Sequence, residues 1–388
     1  MRGGAFLSEG GYGCVFYPEI NCRGRDTSNK EYISKIQRKD FSAENEIAIG
    51  NVLKTMKDWI EKPLLNNFAP VISTCPIQIS KLSIDEEDKC ALFKKEQTDD
   101  YIIMRVRYVD NKDFDDYLVS TSSGQELLRT FIGSYNHLLQ SLSFLQTVNI
   151  VHNDLKGQNI IYDTERSVPI IIDFGLSIPI ANVNRENINN YFYIFAPDYY
   201  AWALEVHFLN YILHVNPTPS KKDVKGIARA YTQGNAALKS FTPGFRSKFE
   251  DLCYQELLYY VGKDENAIIK RVLDSWATWD NYSLSVMFIK ILFFLVKKAE
   301  NGSVLDNPFV VFTTQLLLKN IHPNPRERLS VAATTKAFNL FLYNQEVDKV
   351  TVFDELIQQV TDNKPSIDRD LLKSRAATAA LSRRIIRP

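Results

Sequence analysis

IVHNDLKGQNIIYD, Ile150 to Asp163, sets an ammonium, a carboxylate and an amide on a short polar loop between apolar runs. Asp154 and Asn159 stand five residues apart, and fourteen residues after Asn159 the β-like stretch PIIID delivers Asp173 directly before Phe174 and Gly175. Such a pattern suits phosphoryl transfer. One carboxylate would lie beside an attacking hydroxyl, while an amide oxygen and a second carboxylate offer the hard oxygen ligands that magnesium takes. Lys156, two residues after Asp154, would neutralise charge on a transferred phosphoryl group. The plainer alternative is a polar loop with an N-capping aspartate and a turn at Asp173-Phe174-Gly175. Two features upstream weigh against it.

The first is LSEGGYGCV, Leu7 to Val15, glycine-rich between apolar residues. Glycines there let a β-turn-β hairpin bring its amides close to phosphate oxygens, although three glycines in four positions also mark ordinary hairpins. The second is Lys35 in YISKI, a charge amid Ile33 and Ile36. A strand lysine commonly snorkels to solvent. Once buried it needs an anionic partner, and the following helical stretch offers Glu44 and Glu46.

Composition limits the remaining choices. The 388 residues are 45% apolar, enough for one large or two medium cores, and 46 basic residues balance 46 acidic ones. Nothing global attracts a polyanion, so no nucleic-acid partner is expected. The five cysteines are scattered and form no CxxC pair, which suits buried thiols in a reducing compartment rather than a disulfide scaffold or zinc module. The amino terminus lacks a signal-peptide core, and Arg2 rather than glycine follows Met1, so a cytoplasmic protein is expected. The most apolar run, Val286 to Val296, is too short to span a bilayer and contains Lys290; it reads as a buried core helix, and no integral membrane segment is expected.

Two regimes divide the chain. Up to about Tyr108, β-like segments (YISKI, YIIMRVRYV) surround one helical stretch, AENEIAIGNVLKTMKDWI; from Asp113 onward helical periodicity dominates. A small β-rich domain, residues 1–107, joined to a helical one, residues 108–345, is the resulting organisation. Residues 346–388 form an extension whose basic end, LLKSRAATAALSRRIIRP, reads as a short helix or a solvated tail.

Taken together, these motifs resemble eukaryotic-type serine/threonine protein kinases over roughly Phe6 to Asn344. The resemblance implies an α+β, bilobal fold, with ATP and magnesium as cofactors and a protein as substrate. It implies a nucleotide-covering loop at Leu7, Ser8, Gly10, Gly11 and Gly13, with Val15 over the adenine and Ser8 in place of the first glycine. Lys35 would hold phosphates, paired with Glu46 in preference to Glu44. Met104 would guard the adenine pocket, with Arg105 to Arg107 as the connector between lobes. Asp154 becomes the catalytic base, assisted by Lys156, and Asn159 and Asp173 the metal ligands. Lys156 is similar to the serine/threonine subgroup. Later matches are Ala196-Pro197-Asp198, the stretch WDNYSLSV whose Asp280 would buttress the catalytic loop, and HPNPRERLS, whose Arg328 would pair with Asp198 or Glu205.

Departures from the family carry information. Gly50 stands where a bulky residue is expected, which would loosen the helix of Glu46. Asn153 replaces the arginine that clamps an activating phosphate. Ser177 is the only Ser or Thr between Asp173 and Asp198, so control by phosphorylation of this segment is not expected. The threonine usual before Ala-Pro-Glu is also missing. Asp173 and Asp280 lie 107 residues apart, and the intervening stretch, about 182–279, reads as inserted helices that pack on the large lobe or bind a partner. GGYGCVFYPEINC, HNDLKGQN and this insertion together resemble kinases of large cytoplasmic DNA viruses. Two other readings stay open: a small-molecule phosphotransferase on the same fold, and a scaffold that binds nucleotide without turnover.

Overall fold

The computed structural model describes residues 4–9, 13–23, 29–55, 67–78, 82, 89–90, 100–297, 304–348 and 351–385. The chain divides into two compact units, one of residues 1–112, 161–177 and 386–388, the other of residues 113–160 and 178–385. The fold class is α+β, a β-rich amino-terminal unit and a helical remainder, as the sequence implies.

In the first unit β1 (Ala5–Glu9), β2 (Gly13–Tyr17), β3 (Tyr32–Arg38), β4 (Val71–Ile77) and β5 (Tyr101–Arg107) form one antiparallel sheet in the order β1-β2-β3-β5-β4. Alternation along the strands sorts side chains to two faces. Ile36 and its cross-strand partner Ile103 join Cys14, Phe16, Ile77 and Tyr101 in one apolar cluster. Val71, Met104 and Val106 lie on the other face, against Ala43 and Ile47 of helix α1 (Phe41–Thr55). Lys35 sits opposite Met104 and therefore shares the face that α1 covers.

Glycine acts here through close approach. A Cβ on Gly13 would fall 2.5 Å from the Ile36 carbonyl oxygen, so β2 reaches β3 only without one. A Cβ on Gly50 would fall 2.8 Å from the Val71 carbonyl oxygen. Gly50 thus lets α1 seat tightly on β4, which corrects the expectation of a loosened helix. Arg105 and Arg107 are strand residues; β5 runs unbroken to Arg107, and Arg105 bonds Glu19 (3.2 Å) and stacks on Tyr32. The connecting turn begins only at Tyr108, because the alternation of YIIMRVR satisfies both neighbouring ladders as far as Val106.

The cysteine expectation is also corrected. Cys14 pairs with Cys90 and Cys22 with Cys75; Cys253 alone among the five is a buried free thiol. Spacing along the chain carries no sign of this: each bridge joins a strand cysteine, Cys14 or Cys75, to one outside the sheet, 76 and 53 positions away, at Cα distances of 6.1 and 5.7 Å. In the chain-entropy account each closure, taken alone, stabilises by about 4 kcal/mol.

In the second unit, α2 (Phe114–Ser120) and α3 (Gly124–Thr147) are followed, after the catalytic-loop motif, by α4 (Ile188–Tyr191), α5 (Leu204–His214), α6 (Lys221–Gly234), α7 (Pro243–Leu258) and α8 (Glu265–Leu273). Then come α9 (Trp279–Val296), α10 (Pro308–Asn320), α11 (Val331–Asp348) and α12 (Thr351–Ile385). Helix starts follow capping chemistry: Ser123, Ser220, Thr242 and Asp264 each accept from backbone amides of the first turn. Helix α9 forms the centre, with Phe288 against Phe131 and Tyr135 of α3. Residues 276–296 are apolar and long enough to cross a membrane, yet 83% of that window is buried inside the protein, as a core helix requires. Several aromatic residues between α5 and α8 are core residues: Phe208, Tyr231, Phe249 and Tyr260 are buried, and Tyr231 bonds Tyr282 of α9 (2.5 Å), whereas Tyr259 is half exposed. The basic end of the chain belongs to α12, a 35-residue helix whose Leu356, Val360, Ile367 and Leu371 are buried.

Candidate active site

The first unit builds an ionic cluster on the covered face of its sheet. Lys35 Nζ lies 2.7 Å from Glu46 Oε2 and 3.1 Å from Asp173 Oδ1. Glu46, in the second turn of α1, is buried, whereas Glu44 is exposed; the choice between them is settled by which face of α1 meets the sheet. Burial disfavours the Lys35 charge, but the carboxylates of Asp173 and Glu46 outweigh it and hold its pKa above the usual lysine range. Burial pushes the Glu46 carboxyl upward, with Lys35 opposing. Asp173 has a left-handed backbone (φ 64°), a cost accepted where neighbours fix the conformation. Those neighbours are Phe174, which packs edge-on to Phe68, and Asn45. The Asn45 amide donates to the carbonyls of Gly175 (3.1 Å) and Ser177 (2.7 Å), so one helix supplies both the partner of Lys35 and the clamp on the segment after Asp173. No motif in the sequence singles out Asn45.

Val15 lies half-buried across from Lys35, and Met104 is fully buried, while Leu7 and Ser8 are exposed on β1. Gly10 and Gly11 lie outside the described residues.

The second unit holds Asp154, Lys156 and Asn159, all buried. The loop is fixed from below. Asp280 of α9 accepts the amides of His152 (2.7 Å) and Asn153 (2.9 Å), one on each carboxylate oxygen, as the sequence implies. Asn153 is left-handed (φ 61°), a conformation asparagine tolerates better than most residues, and its carbonyl accepts from Trp202 Nε1 (2.7 Å). Thus the site of Asn153 has a backbone demand beyond the loss of a phosphate clamp.

Asp154 is saturated with donors. Lys156 Nζ bonds both its oxygens (2.9 and 2.7 Å), Asn159 Nδ2 bonds Oδ2 (2.8 Å), and the Tyr199 hydroxyl donates to Oδ1. Each oxygen therefore accepts two bonds. Burial, then the Asp154 charge, raises the Tyr199 pKa far above that of a free phenol, so the hydroxyl keeps its proton. Tyr199 was not foreseen; it follows Ala196-Pro197-Asp198 and supplies a hydroxyl where the sequence lacks the usual threonine. Behind it, His207 Nε2 meets the Tyr199 carbonyl (3.1 Å), and burial lowers this imidazole to about 4.

Of the two partners open to Arg328, the structure selects Glu205. Both side chains are buried, joined by two bonds of 2.7 and 2.9 Å, and Trp279 Nε1 also donates to Glu205 (3.0 Å). Asp198 pairs instead with Arg384 of α12.

Residues 78–201 match the family model described as the protein kinase domain. The α+β architecture is like that of a protein kinase. Curated kinases show similarity as well. The chain is 26% identical over 193 residues, half its length, to Protein kinase C-like 1 of Caenorhabditis elegans, covering 23% of that protein. It is 32% identical over 101 residues, 26% of the chain and 6% of the relative, to the probable serine/threonine-protein kinase HSL1 of Saccharomyces cerevisiae. To the cell cycle serine/threonine-protein kinase hsk1 of Schizosaccharomyces pombe it is 22% identical over 171 residues, 44% of the chain and 33% of the relative. The chain thus spans a third or less of these kinases.

Proposed function

We propose that the chain is an ATP-dependent protein kinase acting on serine and threonine hydroxyls. The observation that supports this best is Asp154 held between Lys156 and Asn159 on a loop whose backbone Asp280 pins. Asp154 would orient the substrate hydroxyl and take its proton, a role worth about 10² to 10⁴ in rate. Lys156 would balance charge on the moving phosphoryl group. Lys35, fixed by Glu46, would contact the nucleotide phosphates.

Each unit offers a donor that suits magnesium with ATP. Asn159 spends its amide nitrogen on Asp154, which leaves an amide oxygen, and Asp173 is a carboxylate; both are hard oxygen donors. Bound magnesium would neutralise phosphate charge. Ser177 is fully buried and so poorly placed for phosphorylation, which supports an enzyme not switched at that residue. The narrower likeness to kinases of large cytoplasmic DNA viruses rests on the motifs quoted above. A cytoplasmic location belongs to the same proposal; the disulfides test it, since alkylation during denaturing lysis of cells would label Cys14, Cys22, Cys75 and Cys90 if they had been kept reduced.

The deciding experiment is transfer of labelled γ-phosphate from Mg-ATP to generic protein substrates, native chain against Asp154→Asn. Phosphoserine or phosphothreonine made by the native chain and lost in the variant supports the proposal. ATP binding with no transfer to any protein overturns it.

A further inference from the structure

Helices α6 and α7 give no residue to the cluster around Asp154, yet their charge is one-sided. Residues 221–248 hold seven cations against one carboxylate, Asp223, in a chain whose basic and acidic totals balance at 46 each. That carboxylate is occupied at the start of α6, where it accepts from the Ser220 amide (2.8 Å) and hydroxyl (2.7 Å). Lys221, Lys222, Lys225 and Arg229 are exposed and form no ion pair among the described residues. Lys222, Lys225 and Arg229 stand three and four positions apart and so share one face of the helix.

The other face of α6 is already used. Val224, Ile227, Ala228 and Tyr231 are buried, and the Tyr231 hydroxyl is bonded to Tyr282 of α9. A basic amphipathic helix commonly lies on a membrane, but here no apolar face is left to enter one. Arg246, near the start of α7, adds a second observation: it is half-buried, and its Nε is enclosed without a partner among the described residues. A guanidinium partly withdrawn from water is unfavourable unless an anion meets it. Position gives these cations a use. Gly234, the last residue of α6, abuts Asp198, since a Cβ there would fall 2.5 Å from Asp198 Cα. Tyr199, next in the chain, donates to Asp154. Helix α6 therefore ends beside the contact on Asp154, with Arg229, Lys225 and Lys222 about 8, 14 and 18 Å back along its axis from Gly234.

We propose that the exposed face of α6 docks an acidic segment of a protein substrate, with Arg246 as a further contact at the end of the α6–α7 hairpin nearest Asp198. The inference rests on the kinase reading, which supplies the reason for a protein to lie here. Charge complementarity selects the occupant. An extended segment advances about 3.3 Å per residue, so the roughly 10 Å between Arg229 and Lys222 match three carboxylates within about four positions. Nucleic acid suits the site less well, because its phosphates ask for a basic surface wider than one helix face, on a chain that carries no net positive charge. The hairpin is also firm enough to act as a ruler. Thr232 of α6 meets Cys253 of α7 (3.9 Å), and Asn235 donates to the Tyr282 hydroxyl (2.9 Å).

The test uses the full chain and Lys222→Gln/Lys225→Gln/Arg229→Gln, with labelled serine peptides of equal length. Each peptide carries a short block of either glutamate or glutamine, placed at successive distances on both sides of the serine. By fluorescence anisotropy the native chain should bind the best-placed glutamate peptide roughly tenfold more tightly than its glutamine twin, the gain of a few exposed charge pairs acting together. The gain should vanish in the triple variant, and in the native chain at about 0.5 M salt, a readout that depends on no variant folding. Arg246→Gln should reduce it in part. As substrates, the glutamate peptides should show a KM lower by the same factor. Equal affinity for both peptide series, or a glutamate preference that survives in the triple variant, would overturn the docking surface. So would a single-stranded RNA of equal length that binds the native chain more tightly than the glutamate peptides and loses that affinity in the variant. Glutamate peptides that bind through α6 but never receive phosphate would sink the kinase reading and leave the acidic-segment surface standing.

Discussion

Lys35 in the first unit stands between two carboxylates, whereas Asp154 in the second is surrounded by an ammonium, an amide and a phenol. One cluster has more negative charge than positive and would be completed by a cation. The other is complete already, with every acceptor position on Asp154 filled. Under the proposed function a substrate hydroxyl would reach Asp154 only by displacing a present donor, and Tyr199, a hydroxyl itself, holds one of those bonds. The contrast teaches that the first cluster has an unbalanced negative charge while the second is already neutralised and fully hydrogen-bonded.

The supports differ as well, and the largest expected effect lies in the second unit. Arg328→Ala leaves Glu205 buried without its partner and should destabilise by about 3–5 kcal/mol in denaturant unfolding. Retained hydrogen-exchange protection of β3 and β5 under conditions where the helical unit has unfolded would sharpen the division between the units; joint loss would break it. Next is a pH effect. His207 titrates near 4 when folded and near 6.5 when unfolded, so its contribution is present above 6.5 and declines as pH falls towards 4, by roughly 3 kcal/mol. His207→Asn should flatten the slope of stability between pH 6.5 and 4, measured as the denaturant midpoint, and an unchanged slope would remove His207 from the frame behind Tyr199. In the first unit, Gly50→Ala should cost about 1–3 kcal/mol through overpacking against Val71. A neutral or stabilising result would mean that α1 seats loosely after all. The smallest effect is Tyr199→Phe, worth about 1 kcal/mol for one hydrogen bond. If the phenol blocks Asp154, kcat/KM for a protein substrate should rise several-fold; a fall would make Tyr199 a support for Asp154 rather than an obstacle.

Local chemistry was the legible part. Strand alternation around Lys35 and Met104, the helical period of α1, and the spacing of Asp154, Asn159 and Asp173 each announce themselves over about twenty residues or fewer. Long-range choices were not legible. Glu205 rather than Asp198 for Arg328, four paired cysteines, and Tyr199 on Asp154 depend on which distant segments the fold brings together. Gly50 shows the limit most plainly: its missing side chain suggested looseness, but the Val71 backbone fills that space. The basic end of the chain was undecided between helix and tail because its partners, Asp113, Asp116 and Asp198, lie far upstream.

That distance has a consequence for the order in which the molecule is made. Gln158 and Arg375, whose hydrogen bond joins the Asp154 loop to α12, are 217 residues apart. At roughly 5–20 residues per second, the ribosome adds Arg375 about 10–40 s after Gln158. During that interval the loop of Asp154 has emerged or is emerging with no α12 to cover it. The newest molecules in a cell would therefore be the ones whose Asp154 loop still lacks the contact that Arg375 makes with Gln158.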